Sequence, residues 1–256
     1  MASNYVKLLA KLDRPPSGPN WVRFVRSDVI STTKSIISFV KGSPPFTYSA
    51  GYTAIKDRIQ LGINLETAIA VAARSGAPAG RKQNEDLVRS FFEHDLERRY
   101  ASHNFIDFEK EWFRVSRDIA VPVSPLCVIR EQGQFVPLFV CGWSQLDLTD
   151  FQRRLLVTIY EDAFLSLTDY QNSPAEFLFF PKGDRSGEVK RTAEVWNRGD
   201  YNLLGEHELN EAVEIFLQSR ELVRQILLKE MAEEVERTRR EGPSNHTPRS
   251  RDLFDE

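Results

Sequence analysis

The chain has 256 residues, 34 basic and 37 acidic, with a formal net charge of −3, 41% hydrophobic residues and 17 phenylalanines. That content can bury a real core in one sizeable domain with appendages, or in two small ones. The nearly balanced charge excludes a global pull toward nucleic acid or anionic lipid, although a local basic face stays open. The start Met1-Ala2-Ser3-Asn4-Tyr5-Val6-Lys7 does not read as a signal peptide, and no apolar run approaches the roughly 20 residues of a membrane span. A cytoplasmic protein with no membrane segment is the expectation.

Residues 13–20, Asp-Arg-Pro-Pro-Ser-Gly-Pro-Asn, are dense in chain breakers and predict a loop. The stretch 21–40 is ambiguous between strand and helix, and Gly42-Ser43-Pro44-Pro45 breaks the chain again. Two short helices follow. One covers 53–61 and ends at Gly62; the other covers 65–74, capped by Asn64 and stopped by Gly76 before Pro78. A DNA-reading helix–turn–helix is disfavoured, because Leu65 to Ala73 is too apolar to lie in a groove. Two packed helices are expected instead.

A stronger helix spans 84–100, with Asn84 as cap, Glu85 and Asp86 at its positive end, and Arg98-Arg99 at its negative end. Leu87, Val88, Phe91, Phe92 and Leu96 would form its buried stripe. From Phe105 to Phe113 aromatics fall near alternate positions, the pattern of a strand with one wet face. The strand pattern continues over 119–129, turns at Glu131-Gln132-Gly133-Gln134 and returns over 135–141. Thr149-x-x-Gln152 is a capping box opening a helix to about residue 167, with Phe151, Leu155, Ile159, Ala163 and Leu167 as its stripe. Glu176-Phe177-Leu178-Phe179-Phe180 is a short strand, 182–200 a polar loop, and 206–240 the longest helix. Its stripe is Leu209, Val213, Phe216, Val223, Ile226 and Leu227, and beyond Met231 it should project into solvent. Residues 241–256 read as a disordered tail. The fold class expected is α/β (α+β): a central mixed sheet flanked by helices. An N-terminal helical extension (1–82) precedes the core (83–230), and a charged helix end with its tail (231–256) follows.

The order helix, strand, strand, turn, strand, helix, strand, helix over residues 84–228 resembles the core of the PD-(D/E)XK nuclease superfamily, in its restriction-endonuclease-like branches. In such a family a Pro-Asp strand and a strand bearing acid-x-lysine hold magnesium, which activates water and shields phosphate charge. Here Ser124-Pro125-Leu126-Cys127-Val128-Ile129-Arg130 stands at the first strand and Phe139-Val140-Cys141 at the second. Leu126 therefore occupies the aspartate position, and Phe139 and Cys141 the acid and lysine positions. The helix from Thr149, with Gln152 and Tyr160, resembles the one that follows the site. The resemblance thus implies a nuclease-like scaffold without its metal site: a non-catalytic binding or regulatory module, with no cofactor and with a protein or nucleic acid as partner.

The alternative is a metal-dependent nuclease with a relocated magnesium site. Asp107, Glu109 and Glu111 alternate on the predicted strand with Lys110 between them, and Glu93 and Glu97 could complete the set; a wet strand edge is the simpler reading. His94, His103, His207 and His246 lack metal-ligand spacing. Cys127 and Cys141 are flanked by apolar strand residues, which makes them inert thiols rather than nucleophiles or a disulfide. No phosphate loop, nucleophile elbow or dinucleotide turn is present. Candidate nucleic-acid contacts are Arg81 and Lys82 before a helix start and Arg153-Arg154, with Arg185, Lys190 and Arg191 as further basic positions.

Overall fold

Caps and breakers set most element boundaries in the computed structural model, which describes residues 2–14, 16–42, 46–101, 103, 105–183 and 190–241. The N-terminal helical region contains α1 (Ala2–Asp13), α2 (Gly18–Phe24), α3 (Val29–Lys41), α4 (Ser49–Leu61) and α5 (Leu65–Arg74). The ambiguous stretch 21–40 thus resolves into the end of one helix and most of another. Asp28 accepts the Ser31 N–H to start α3, Asn64 accepts the Thr67 N–H to start α5, and Gly62 ends α4 in the left-handed region at φ 67°.

The next helix, α6 (Arg81–Arg98), begins earlier than its sequence signals suggest. Asn84 is not its cap. It lies inside the helix, buried, where Oδ1 accepts from Gly51 N–H (2.7 Å) and Nδ2 donates to the carbonyls of Thr47 (3.0 Å) and Gly80 (2.8 Å), fastening α6 to α4. Leu96 is 77% exposed and leaves the expected stripe, while Asp95 is buried in its place.

The sheet region departs most from expectation. Residues 105–113 form two short strands in different sheets, β1 (Phe105–Ile106) and β2 (Glu111–Arg114), joined by a non-strand link. β2 pairs with β3 (Ala120–Val123) in a separate two-stranded hairpin. Pro125 breaks the expected 119–129 strand, so β4 (Cys127–Glu131) is a new strand. A two-residue turn with Gln132 and Gly133 both at positive φ returns the chain as β5 (Gln134–Cys141), which puts Glu131 opposite Gln134. After the capping box at Thr149, α7 (Asp150–Tyr160) runs into a π-helical turn, Glu161–Leu165, then β6 (Glu176–Phe179). Within the expected polar loop lies β7 (Glu194–Asn197), and α8 (Glu206–Glu241) closes the fold.

The main sheet has the order β1-β4-β5-β6-β7; β5 and β6 are parallel and the other neighbours antiparallel. The molecule is therefore a mixed α/β fold. Alternation divides the sheet residues between two core clusters. Val128, Phe139, Cys141, Phe177, Phe179 and Trp196 join a cluster that runs through α7 to Trp21 of α2 and Phe216 of α8. Cys127, Ile129, Val136, Leu138, Leu178 and Phe180 pack instead with Ile55 and Ile59 of α4 and Leu87 and Phe91 of α6. No helix among the described residues is long and apolar enough to cross a membrane. Residues 242–256 of the expected tail lie outside the described residues.

Candidate functional site

Phe139, at the position where the resemblance calls for a metal ligand, is 4% exposed in the middle of β5. Its ring lies 4.3 Å from Tyr160, 4.9 Å from Phe177 in a stacked pose and 5.9 Å from Phe164. Aromatic packing of this kind stabilises by burial and by edge-to-face contact. Cys141 is buried beside it, and burial pushes its thiol up to about 12 despite the opposing Trp143 N–H and Arg23 charge. Leu126, at the other metal position, packs with the α4–α6 cluster rather than with Phe139's, and its N–H donates to the Leu138 carbonyl at 2.7 Å. These residues do not fit a magnesium ion: none offers an oxygen side chain, and the space is filled. Cys127 is likewise buried, its thiol raised to about 12 by burial, and both cysteines are free.

The relocated acidic site is not assembled. Asp107 and Glu109 are exposed in the link between β1 and β2, and only Glu111 belongs to a strand, so the alternation argument fails. Among the described residues, no group of three or more His, Cys, Asp or Glu side chains could hold a metal ion. Glu93 pairs with exposed Lys190 at 3.0 Å, and Glu97 is exposed. His103 and His207 are exposed; His246 and Arg185 lie outside the described residues.

The expected basic positions do not form one face. Arg81 and Lys82 are exposed at the start of α6, with Arg81 Nε donating to the Ala73 carbonyl at 3.1 Å. Arg153 and Arg154 belong to α7, which packs with the opposite core cluster. Arg153 donates to Tyr201 Oη (2.9 Å) and lies over the rings of Trp196 and Tyr201. Arg154 grips both carboxylate oxygens of Glu208, at 3.0 and 2.8 Å. Both are spent on holding the approach to α8, not on a ligand.

Two arginines build polar clusters, one at each end of β6: half-buried Arg98, expected only as a charge at the end of its helix, and Arg191, expected as part of a basic face but buried instead. Arg98, the last residue of α6, donates through Nε to Glu176 (2.8 Å) and through Nη2 to Glu131 (2.6 Å). Glu176 also accepts from Tyr100 Oη at 2.5 Å, and Tyr100 Oη is 3.2 Å from His94 Nε2. Burial opposes the Arg98 charge, but its hydrogen bonds to Glu131 and Glu176 outweigh it and hold its pKa above the ordinary value. Burial, aided by Glu176, raises the Tyr100 hydroxyl, and burial lowers His94 against the pull of Glu176. The result is a guanidinium between two carboxylates with a phenol and an imidazole beside it: a structural clamp rather than a poised acid–base pair.

At the other end, Arg191 is 2% exposed and meets no carboxylate among the described residues. Its Nη1 donates to the carbonyls of Gly142 (3.1 Å), Trp143 (3.3 Å) and Phe180 (2.7 Å), and its Nη2 to Tyr48 Oη (2.7 Å). Its Nε has no hydrogen-bond partner among the described residues. The one signal that could have found the Arg98 clamp is Glu176, a charge opening an otherwise apolar strand; nothing local marks Arg191. No protein-family model matches the sequence, and neither the curated proteins nor the solved structures yield a match.

Proposed function

We propose that the chain is a non-catalytic binding or regulatory protein on a nuclease-like, restriction-endonuclease-like scaffold. The succession α6, β1, β4, turn, β5, α7, β6, α8 supports the scaffold, with the β2–β3 hairpin and β7 as additions. The observation that carries the loss of chemistry is the set of rings around Phe139, which fills the place of a ligand with apolar packing. A cytoplasmic setting is part of the proposal, supported by two free, buried cysteines that need no oxidising compartment.

The test is cleavage of plasmid and single-stranded oligonucleotide by the purified chain in millimolar Mg²⁺ or Mn²⁺. No product is expected. Cleavage that disappears in Glu109→Ala would overturn the proposal in favour of the relocated acidic site.

A further inference from the structure

A groove of about 480 Å³ lies between α2 and α3, and its lining is cationic in a chain of net negative charge. Three positive side chains reach it: Arg23, Arg26 and Lys34. Arg26 makes a single side-chain hydrogen bond, to Gln152 Oε1 at 3.2 Å, and has no carboxylate partner among the described residues. Lys34 is exposed and has neither a hydrogen bond nor an ion pair among them; Asp28 is the acidic group it influences. Arg23 pairs at 3.1 Å with Asp147, whose side chain is 56% exposed, and lies over the Trp143 ring. Ser35 and Ser38 of α3 line the same space.

The rest of the lining is aromatic. Phe24 and Phe39 pack with ring centroids 4.6 Å apart and remain half-buried, and Lys11 Nζ sits 4.6 Å from the Phe39 centroid. The frame is fixed from beneath: buried Gln152 donates to the carbonyls of Val22 (3.0 Å), Arg23 (3.2 Å) and Val25 (3.0 Å), which anchors the end of α2 that presents Arg23 and Arg26. Such anchoring reduces the ordering cost of binding.

We propose that this groove binds a small organic phosphate, a phosphomonoester joined to a flat or apolar group. Arg26, Lys34 and the serine hydroxyls take the phosphate, and the Phe24–Phe39 pair contacts the remainder. Guanidinium and ammonium donors suit a dianion with several acceptor oxygens. The proposal does not depend on the nuclease-like reading.

Isothermal titration calorimetry of the full chain with adenosine 5′-monophosphate, adenosine, inorganic phosphate and a 5′-phosphorylated oligonucleotide tests it. Adenosine 5′-monophosphate should bind, adenosine should not, and inorganic phosphate should bind more weakly than the monophosphate. Comparable or tighter binding of the oligonucleotide would identify the source as a strand end; its absence would identify a free nucleotide-like compound. Lys34→Gln, a surface change, should weaken binding about tenfold, as loss of one charge-assisted contact implies, with an unchanged melting temperature. Arg26→Gln should also weaken binding about tenfold. Absence of binding at millimolar monophosphate, equal binding of adenosine, or full affinity in both variants would overturn the proposal.

Discussion

The two faces of the main sheet solve the same problem differently. The face under α7 is largely aromatic, with Phe139 stacked on Phe177 and Phe179 packed against Trp196, and with a polar contact at the edge strand, where Glu194 accepts from Trp196 Nε1 at 2.9 Å. The face under α4 and α6 has an aliphatic centre but ends in polar clusters, Arg98 with Glu131 and Glu176 at one end of β6 and Arg191 with backbone carbonyls at the other. Ring packing asks mainly for volume and shape, and tolerates adjustment. The polar ends demand fixed partners, so they set how α4 and α6 register on the strands. They also differ from each other: one arginine is neutralised by charges, the other by dipoles.

That contrast can be broken at several points. Phe139→Asp should be the most damaging change, at least about 4 kcal/mol, because it buries an unpaired charge among rings; a urea midpoint like wild type would refute the packing described. Arg98→Met should cost about 3 kcal/mol by leaving Glu176 buried and unpaired, and adding Glu176→Gln should recover part of it. Arg191→Met should cost about 2–3 kcal/mol through unpaired carbonyls and the Tyr48 hydroxyl. Glu176→Gln should give no recovery there, and Arg191→Lys should rescue poorly, since one ammonium cannot span the set. Equal rescue of Arg98→Met and Arg191→Met in thermal melts would erase the distinction between the two ends.

The smallest effect concerns pH. His94 has a folded pKa below its unfolded value of about 6.5, so the unfolded chain takes up the proton first. Stability is complete above that value and declines as pH falls through it toward the folded pKa. Melting temperatures measured from pH 7.5 to 5 should show this slope, and His94→Gln should flatten it. A slope unchanged in His94→Gln would assign it to other groups.

What the sequence makes legible here is local. Thr149 and Gln152 form the capping box, Asn64 caps α5, and Gln132-Gly133 makes the hairpin turn because each depends on residues within a few positions. β7 escapes because only Val195 and Trp196 are apolar in Glu194–Asn197; pairing with β6 imposes its extended form. α3 is rich in β-branched residues (Val29, Ile30, Thr32, Thr33, Ile36, Ile37, Val40), whose strand preference is overridden by packing on α8. The clamps are the least legible part. Arg98 and Glu176 are 78 positions apart, and Arg191 lies 143 from Tyr48, so no local pattern shows either pairing, and Glu176 stands out only as a charge on an apolar strand. Gln152 shows the limit clearly: its sequence spacing reveals the capping box, but not that its amide reaches back to the carbonyls of α2.

The packing of α1 and α3 on α8 has a consequence for biogenesis. Lys41 pairs with Glu230 at 2.7 Å across 189 positions, and Ser219 Oγ donates to the Val29 carbonyl. A ribosome adding about 5–20 residues per second therefore needs on the order of 10–40 seconds between making α3 and making the helix that covers it. During that interval the apolar side of α3 has no native partner on α8. Contacts of such separation slow folding, so nascent chains arrested before residue 206 should be the species that a chaperone holds.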